Sequence, residues 1–309
     1  MPDIKKQERP LTKVELLFAT GFEQGRERNL KEQYKTQVKA LYEVGVLELM
    51  TDGNNIGYVD IKGKERPLPS YDEFVRILEV NYESVAEKFK QGFTNVRLDL
   101  IGLPLDFIFK LVPMEILKAK KEGRLKGTDG SDLDLNTDNP FYIDDSLKGA
   151  DVSGDLLYGP SKISNEGQEG GMTKEEYLEV HPSGYILRLD ENNPDLPAEG
   201  KGKTVGGRKQ LEANQQPIQY SEELQANAES GETIDSQALN FLVNLKLGKV
   251  IDDYQGNGKV NWLTGNFLKS RRGVPFWDWD RDYRQARLFW NYPDSRNADR
   301  GCRASAVIH

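Results

Sequence analysis

Apolar residues in the first 125 positions recur mostly at helical spacing, with polar residues between them. In the stretch from Leu30 to Leu49 they lie three and four positions apart, which predicts a helix with one buried face. Ser70 is followed by Glu73, the spacing of a capping box that begins a helix. The stretch from Leu105 to Lys121 is amphipathic and ends in lysines, which a helix C-terminus favours. Residues 1–125 are therefore predicted to form an α-rich N-terminal accessory domain.

The pattern changes after an acidic, turn-rich stretch at residues 126–139, which we interpret as a linker. Beyond it, short apolar runs alternate with clusters of Gly, Pro, Asn and Asp, a pattern typical of irregular antiparallel β structure. Residues 191–233 contain few apolar positions, which predicts a long excursion over the surface. Residues 234–247 carry an apolar helical face. The predicted fold class is α+β, with a second domain over residues 140–309.

The charge and composition predict a soluble protein. The net charge is −8 and the hydrophobic fraction is 37%, which is low for a globular chain. An acidic molecule repels phosphate backbones, so no nucleic-acid partner is expected. The N-terminal stretch lacks the apolar centre of a signal peptide, and no run has the roughly 20 apolar residues of a membrane span. Membrane insertion is therefore not expected, and a cell surface or a virion is compatible with the chain.

Few residues are available for catalysis. Cys302 is the single cysteine, which excludes an intrachain disulfide and a thiolate metal cluster. The two histidines, His181 and His309, have no partner whose spacing suggests a positioned base. Residues 200–204 read Gly-Lys-Gly-Lys-Thr, but Pro197 stands where a phosphate-binding loop needs its first glycine. An enzyme is therefore not the expected function.

An acidic cluster in the linker is the one candidate cation site. Asp129, Asp132, Asp134 and Asp138 could supply some of the six to eight oxygens that Ca²⁺ prefers. Their spacing is not that of a calcium-binding EF-hand loop, and a solvated acidic linker is the favoured interpretation. No cofactor is required, and a structural Ca²⁺ or Mg²⁺ ion on the acidic loops is compatible with the sequence.

The last forty residues, from Ser270 to His309, have a different composition from the rest. They hold three of the four tryptophans, eight Arg and five Asp, and they contain no Lys, Glu or Met. Large aromatic residues combined with Arg, Asn, Asp and Ser are typical of recognition surfaces. Burial of the aromatic residues in a core is the other interpretation, since most aromatic side chains are core residues.

The order of residues in this segment resembles a known family. Trp290-Asn291-Tyr292-Pro293-Asp294-Ser295-Arg296-Asn297, followed by Gly301-Cys302-Arg303, is similar to the ending of the formylglycine-generating-enzyme branch of the C-type lectin fold. Variable proteins of diversity-generating retroelements carry the same ending. The resemblance implies a C-type-lectin-like domain over residues 140–309, an irregular antiparallel sheet, and a segment at about 270–300 that is diversified at adenines. Diversified Asn codons cannot produce Lys, Glu, Gln, Met or Trp. The lack of Lys, Glu and Met fits this, whereas Gln285 and the three Trp would have to be framework residues or come from other codons.

The resemblance also implies a function and a set of residues. The protein would bind a protein or cell-surface ligand of variable identity through its C-terminal segment. The implied variable or contact residues are Arg271, Arg272, Phe276, Leu288, Phe289, Trp290, Asn291, Tyr292 and Ser295. The implied scaffold residues are Trp279, Arg296, Gly301 and Arg303.

Two alternatives remain open at this point. The oxidases of the same branch hold copper with a pair of cysteines, so an oxidase of that type would have to act through Cys302 alone. The other alternative is a structural or virion assembly protein whose aromatic C-terminal segment packs in an oligomer interface.

Overall fold

A computed structural model of the protein describes residues 9–20, 29–191 and 195–308. The helices of these ranges are α1 (Lys13–Thr20), α2 (Leu30–Glu43), α3 (Tyr71–Val80), α4 (Tyr82–Lys90), α5 (Leu105–Lys121), α6 (Lys174–Val180), α7 (Pro217–Ala226) and α8 (Ile234–Lys246). The strands are β1 (Glu48–Leu49), β2 (Ile56–Val59), β3 (Glu65–Pro67), β4 (Phe93–Leu100), β5 (Phe141–Ile143), β6 (Leu156–Ser164), β7 (Gly167–Met172), β8 (Tyr185–Glu191), β9 (Thr204–Val205), β10 (Arg208–Lys209), β11 (Ser230–Gly231), β12 (Asp253–Tyr254), β13 (Val260–Trp262), β14 (Asn266–Leu268), β15 (Val274–Asp280), β16 (Gln285–Asn291), β17 (Arg300–Gly301) and β18 (Ala304–Ile308).

The helix predictions are largely confirmed. The Ser70 side chain accepts from the Glu73 amide and the Glu73 carboxylate accepts from Ser70, so α3 begins with a complete capping box. Helix α5 has the predicted bounds. Helix α2 is shorter than predicted, because Gly45 adopts a positive φ of 83° and turns the chain. Leu49, which the helical pattern included, lies in strand β1 instead.

The sheets are mainly antiparallel, and together with the helices they confirm the α+β class. A four-stranded sheet has the order β11-β18-β8-β4. A six-stranded sheet has the order β17-β13-β15-β16-β5, with β12 paired to β15. Strand β15 lies beside β13, β16 and β12, so it is central to this second sheet. Among the described residues, no helix combines the length and apolar character needed to cross a membrane.

The hydrophobic core crosses the predicted linker. Strand β4 belongs to the predicted N-terminal domain, yet it pairs along its length with β8, which also pairs with β18 at the end of the chain. One cluster of buried side chains runs from Val14 to Ile308. Residues 126–139 therefore connect parts of a shared core and do not separate two cores.

Residues 191–233 are less exposed than their composition predicted. They include helix α7, whose Tyr220 and Leu224 are buried in the main core. Pro217 occupies the first turn of this helix, where its missing N–H costs no hydrogen bond. The prediction of a surface excursion is therefore wrong for α7, because two well-placed apolar residues are enough to attach a short helix to the core.

A network of buried charges holds the four-stranded sheet against helix α8. Arg97 on β4 donates to Asp190 on β8 at 2.7 Å and to Glu232 at 2.8 Å. It also donates to the carbonyl of Ser236 in α8 at 3.0 Å. Burial raises the pKa of Glu232, but Arg97 and Arg303 outweigh burial and hold that pKa below its ordinary value. The Arg97 guanidinium thus joins residues that are far apart in the chain.

We expect Arg97→Met to destabilise the fold by about 3–5 kcal/mol, because it leaves buried carboxylates without their cation. Urea unfolding followed by tryptophan fluorescence measures this loss. Lys148→Met is the matched control, because Lys148 pairs with Asp145 on the surface and such a pair contributes at most about 1 kcal/mol. Equal effects of the two substitutions would contradict the assigned role of Arg97.

Candidate ligand-binding face of the C-terminal sheet

The candidate site lies on the hairpin of strands β15 and β16. The two strands pair along seven residues each, with Phe276 opposite Phe289 and Asp278 opposite Arg287. Side chains of a strand alternate between the two faces of its sheet. One face therefore presents Phe276, Asp278, Asp280, Arg287 and Phe289. We call these five residues and their neighbours around the adjoining cavity the pocket face.

The opposite face of the hairpin belongs to the core. Trp277, Trp279 and Leu288 alternate with the residues of the pocket face, and each is completely buried. Trp277 packs against Phe141 and Phe241, with ring centroids 4.8 and 5.3 Å apart. The two-residue period of the strands thus separates packing residues from residues that border the cavity.

The pocket face borders a cavity of about 490 Å³, a size that suits a small ligand or part of a larger one. Its walls come from β12, β13, β15, β16 and the segment that leads into β17. The lining residues are Tyr254, Gln255, Val260, Phe276, Asp278, Asp280, Asp282, Tyr283, Arg287, Phe289, Asn297, Asp299 and Arg300.

A row of aromatic rings crosses four strands beside this cavity. Trp262 on β13 meets Phe276 edge to face at 5.3 Å, and Phe276 stacks on Phe289 at 5.8 Å between ring centroids. Phe289 stacks in turn on Tyr142 of β5 at 4.6 Å. Such cross-strand aromatic pairs stabilise a sheet and give it a rigid apolar surface.

Arg287 is held by two aspartates of the neighbouring strand. Its guanidinium donates to both carboxylate oxygens of Asp278, at 2.9 and 2.6 Å, and lies 2.6 Å from Asp280. Burial raises the pKa of Asp278, and the bond from Arg287 opposes that shift. This bidentate pair fixes the orientation of Arg287 and offsets its charge.

Arg300 is the cation of the pocket that lacks such a partner. Its guanidinium lies over the Phe276 ring at 4.1 Å and over the Trp262 ring at 5.0 Å. Burial lowers its pKa. In the part of the chain that the structure describes, its Nη1 atom is buried and has no hydrogen-bond partner. The Arg300 charge is therefore stacked on aromatic rings and is not offset by a contacting carboxylate among the described residues.

The predicted contact residues divide into several groups. Phe276 and Phe289 lie on the pocket face, as described above. Leu288 is fully buried, so its prediction as a contact residue is wrong. The error is one of strand parity, because a shift of one residue moves a side chain to the other face of the sheet.

Three other predicted contacts form a separate group at the end of the hairpin, which we call the strand-end cluster. The guanidinium of Arg271 lies over the Trp290 ring at 5.9 Å, and Trp290 meets Tyr292 edge to face at 5.7 Å. The Trp290 indole N–H donates to Asp144 at 3.3 Å. Tyr292 is 56% exposed, so this cluster offers an aromatic side chain to solvent.

The remaining predicted contacts lie near the strand-end cluster. Asn291 and Ser295 are half-buried, and the Asn291 side chain accepts from the Tyr292 amide at 2.8 Å. Arg272 is exposed and has a positive φ of 49°, which places it at the turn before β15.

The predicted scaffold residues differ in burial. Trp279 and Gly301 are buried, and Arg303 is buried with donors to Gln237 at 3.0 Å and Asp252 at 2.7 Å. Arg296 is more than half exposed, although its Nε donates to the Asn214 carbonyl at 2.7 Å. Arg303 therefore supports the fold from inside, whereas Arg296 ties a surface loop.

Cys302 lies in a buried site. Its sulfur is 3.3 Å from the Thr264 hydroxyl, and burial raises the pKa of the thiol to about 12. A thiol in this state is a poor nucleophile and a poor metal ligand. His181 contacts the ring of Tyr177, with centroids 4.8 Å apart. His309 lies outside the described residues.

The acidic linker pairs with basic side chains of the same chain. The loop at residues 200–204, which we call the basic loop, binds a carboxylate of the same chain. Asp129 pairs with Arg281 at 3.0 Å, and Asp132 pairs with Lys126. Within residues 9–20, 29–191 and 195–308, no group of three or more His, Cys, Asp or Glu side chains is arranged to hold a metal ion. The amides of Gly200 and Gly202 donate to the Glu212 carboxylate at 2.9 and 2.8 Å. The basic loop therefore already holds an anion of its own chain.

Several residues that line the cavity were not among the predicted contacts. Asp278, Asp280, Arg287 and Arg300 all line the cavity. The alternation of Phe276, Asp278 and Asp280 with the two tryptophans was a signal that places them on one face. The position of Arg300 had no such local signal, because it depends on the pairing of β17 with β13.

Comparison with known proteins gives no relative on which to base a function. No protein-family model, no curated protein and no solved structure matches this chain.

We expect Cys302 to resist alkylation in the folded protein. With a pKa of about 12, almost none of the thiol is thiolate at pH 8, and its burial blocks the reagent. Incubation with iodoacetamide, followed by mass spectrometry, should show no label in buffer and complete label in urea. Rapid labelling without urea would contradict this description and would reopen a catalytic role for the cysteine.

Proposed function

We propose that this protein is a ligand-binding protein of the receptor type. Its binding surface would comprise the pocket face and the strand-end cluster. The observation that carries the proposal is the two-faced hairpin of β15 and β16. One face packs into the core through Trp277, Trp279 and Leu288, while the other borders an open cavity. Contacts on the second face can therefore change without repacking the first.

The residues of the pocket face differ in burial. This difference supports a buried floor that stays constant and an exposed rim that can vary. Phe276, Asp278 and Asp280 are at most 7% exposed and form the floor. Tyr283 is 62% exposed, and Phe289 is half-buried at the edge. Exposed tyrosines provide large contact areas at a low cost in side-chain entropy, which suits them to protein recognition.

The charges of the cavity indicate the chemistry of a partner. Four aspartates and two arginines line it, and one of the arginines is offset by two of the aspartates. The excess of carboxylates favours a partner with Lys or Arg side chains. The Arg300 guanidinium, which lines the cavity, suits a carbonyl or carboxylate oxygen of the same partner. A basic segment of a protein fits both requirements.

We further propose that the surface is diversified by a retroelement and that the domain has the C-type-lectin-like fold. The predicted variable segment, residues about 270–300, includes β15, β16 and the turn between them. It contributes most of the cavity lining and all three residues of the strand-end cluster. The sheet beneath it is mixed: β15 pairs antiparallel with β13 and β16, whereas β12, β17 and β5 join the sheet in parallel. The burial of Cys302 disfavours the alternative of an oxidase.

Randomising the rim should preserve the fold and yield binders. One displayed library, the rim library, varies Tyr283 and Phe289 of the rim together with Tyr292 of the strand-end cluster. A second library varies the core residues Trp277, Trp279 and Leu288. We expect most rim variants to resist protease, whereas most core variants do not, since loss of a buried Trp costs about 3–5 kcal/mol. Selection on immobilised hen egg-white lysozyme, a basic protein, should enrich binders from the rim library.

A third library provides the matched control for binding. It varies Tyr42, Met114 and Val180, which are 50%, 64% and 57% exposed and lie on three different helices. These positions should tolerate change and yield few binders. The proposal fails if rim variants unfold as often as core variants, or if the control library yields binders as frequently.

Diversification has a consequence in the encoding genome. We expect a near-identical copy of the codons for about residues 270–300 beside a reverse-transcriptase gene, with differences confined to positions that are adenine in the copy. Sequencing the complete genome tests this. A complete genome without such a copy would remove the retroelement from the proposal and leave the binding surface to be judged by the libraries.

A further inference from the structure

Lys174, the first residue of α6, has a completely buried side chain. Its Nζ lies 2.8 Å from Asp235 Oδ1 on α8 and 3.2 Å from Asp151 Oδ2. It also donates to the carbonyl of Leu103. An amine and two carboxyl groups thus share one site that water does not reach, and this site is independent of the proposed binding surface.

The two carboxyl groups differ in their surroundings. The Asp235 carboxyl is directed at the amine, and burial raises its pKa, which favours the neutral acid. Asp151 accepts the Leu105 amide at 2.8 Å through the same Oδ2 that faces Lys174. Its other oxygen, Oδ1, is buried and has no hydrogen-bond partner among the described residues. Asp151 therefore has an unused acceptor on the carboxyl group that contacts the amine.

The site has too little positive charge for its carboxylates. Lys174 is the cation in contact with both Asp151 and Asp235, so an ammonium would face two carboxylates. Burying a charge without full compensation is costly. The Tyr158 ring, 5.4 Å from Nζ, closes the site on another side. Joining the two groups in a neutral amide removes both buried charges.

We propose that Lys174 and Asp235 condense to form an intramolecular isopeptide bond, with Asp151 as the group that transfers the proton. The reacting groups are already in contact, and holding them together replaces the entropy cost of a bimolecular reaction. Exclusion of water favours an amide over two buried charged groups.

The reaction balances without an oxidant, a reductant or a co-reactant. The lone pair of the neutral Lys174 Nζ attacks Cγ of protonated Asp235, and an N–C bond forms. Asp151 accepts a proton from the nitrogen and returns it to the hydroxyl of the tetrahedral carbon. The C–O bond then breaks and one water molecule leaves. Asp151 ends in the protonation state in which it began, and the product is a neutral secondary amide.

The bond would join elements that are distant in the chain. Lys174 and Asp235 are 61 residues apart, so the link would close a large loop between α6 and α8. A covalent loop of this kind restricts the unfolded chain in the same way as a disulfide does. It would supply a covalent restraint in a protein that has a single cysteine.

An exposed pair of the same residue types provides an internal control. Lys148 Nζ lies 2.7 Å from Asp145 Oδ1, close to the Lys174–Asp235 distance, but the two side chains are 55% and 93% exposed. Water stabilises the ammonium and the carboxylate there, so the amine stays protonated and does not react. The comparison separates the effect of burial from that of proximity.

Mass spectrometry of the purified full-length protein tests the proposal. After denaturation, we expect an intact mass lower by one water molecule than that of the processed chain. Proteolysis should yield a branched peptide that contains Lys174 and Asp235, while the Lys148 and Asp145 peptides remain linear. Asp151→Asn should show the full mass and no branched peptide, and so should Lys174→Arg.

The wild-type result decides the existence of the bond whether or not the variants fold. Full mass and a linear Lys174 peptide in the wild-type protein would overturn the proposal outright. A branched peptide of undiminished abundance in Asp151→Asn would overturn the role of Asp151. A branched peptide at Lys148 would show that contact alone is sufficient and would overturn the argument from burial.

Discussion

The buried arginines that connect the four-stranded sheet to the rest of the molecule are the constraint on which the candidate site depends. Arg97 joins β4, β8 and α8, and Arg303 continues the network to Gln237 and Asp252. The carbonyl of Asp252 then accepts the amide of Trp279 in β15 at 2.8 Å. Charges buried in this way tolerate little displacement, because each must keep its partner. The network therefore fixes the position of the strand that carries the pocket floor.

This arrangement explains how a rigid floor and an exposed rim can coexist in one hairpin. The central strand β15 has paired neighbours on both sides, and its tryptophans are completely buried. Strand β16 and the turn before it carry Tyr283 and Phe289 toward solvent. Arg287 holds the two strands in register through Asp278 and Asp280. Variation at the rim consequently need not disturb the polar network beneath it.

Features set by neighbouring residues could be predicted from the sequence. The capping box at Ser70 and the bounds of α5 both follow from spacings of a few positions. The face of Leu288 could also have been predicted, since the parity of β15 and β16 places it opposite Trp277. Helix α7 escaped prediction because its helical pattern rests on two core residues, Tyr220 and Leu224. The composition of the segment does not reveal that two residues are enough to attach this helix to the core.

Features set by distant residues could not be predicted. Glu232 is 135 residues from Arg97, and Arg300 reaches the pocket only because β17 pairs with β13. The same holds for Lys174, because Asp235 is 61 residues away from it in the chain. Its contrast with Arg97 is chemical: a guanidinium keeps its proton in any protein interior, so Arg97 can only remain an ion. An amine can lose its proton and become a nucleophile. A buried lysine between two carboxyl groups is therefore a reactive arrangement where a buried arginine is only a structural one.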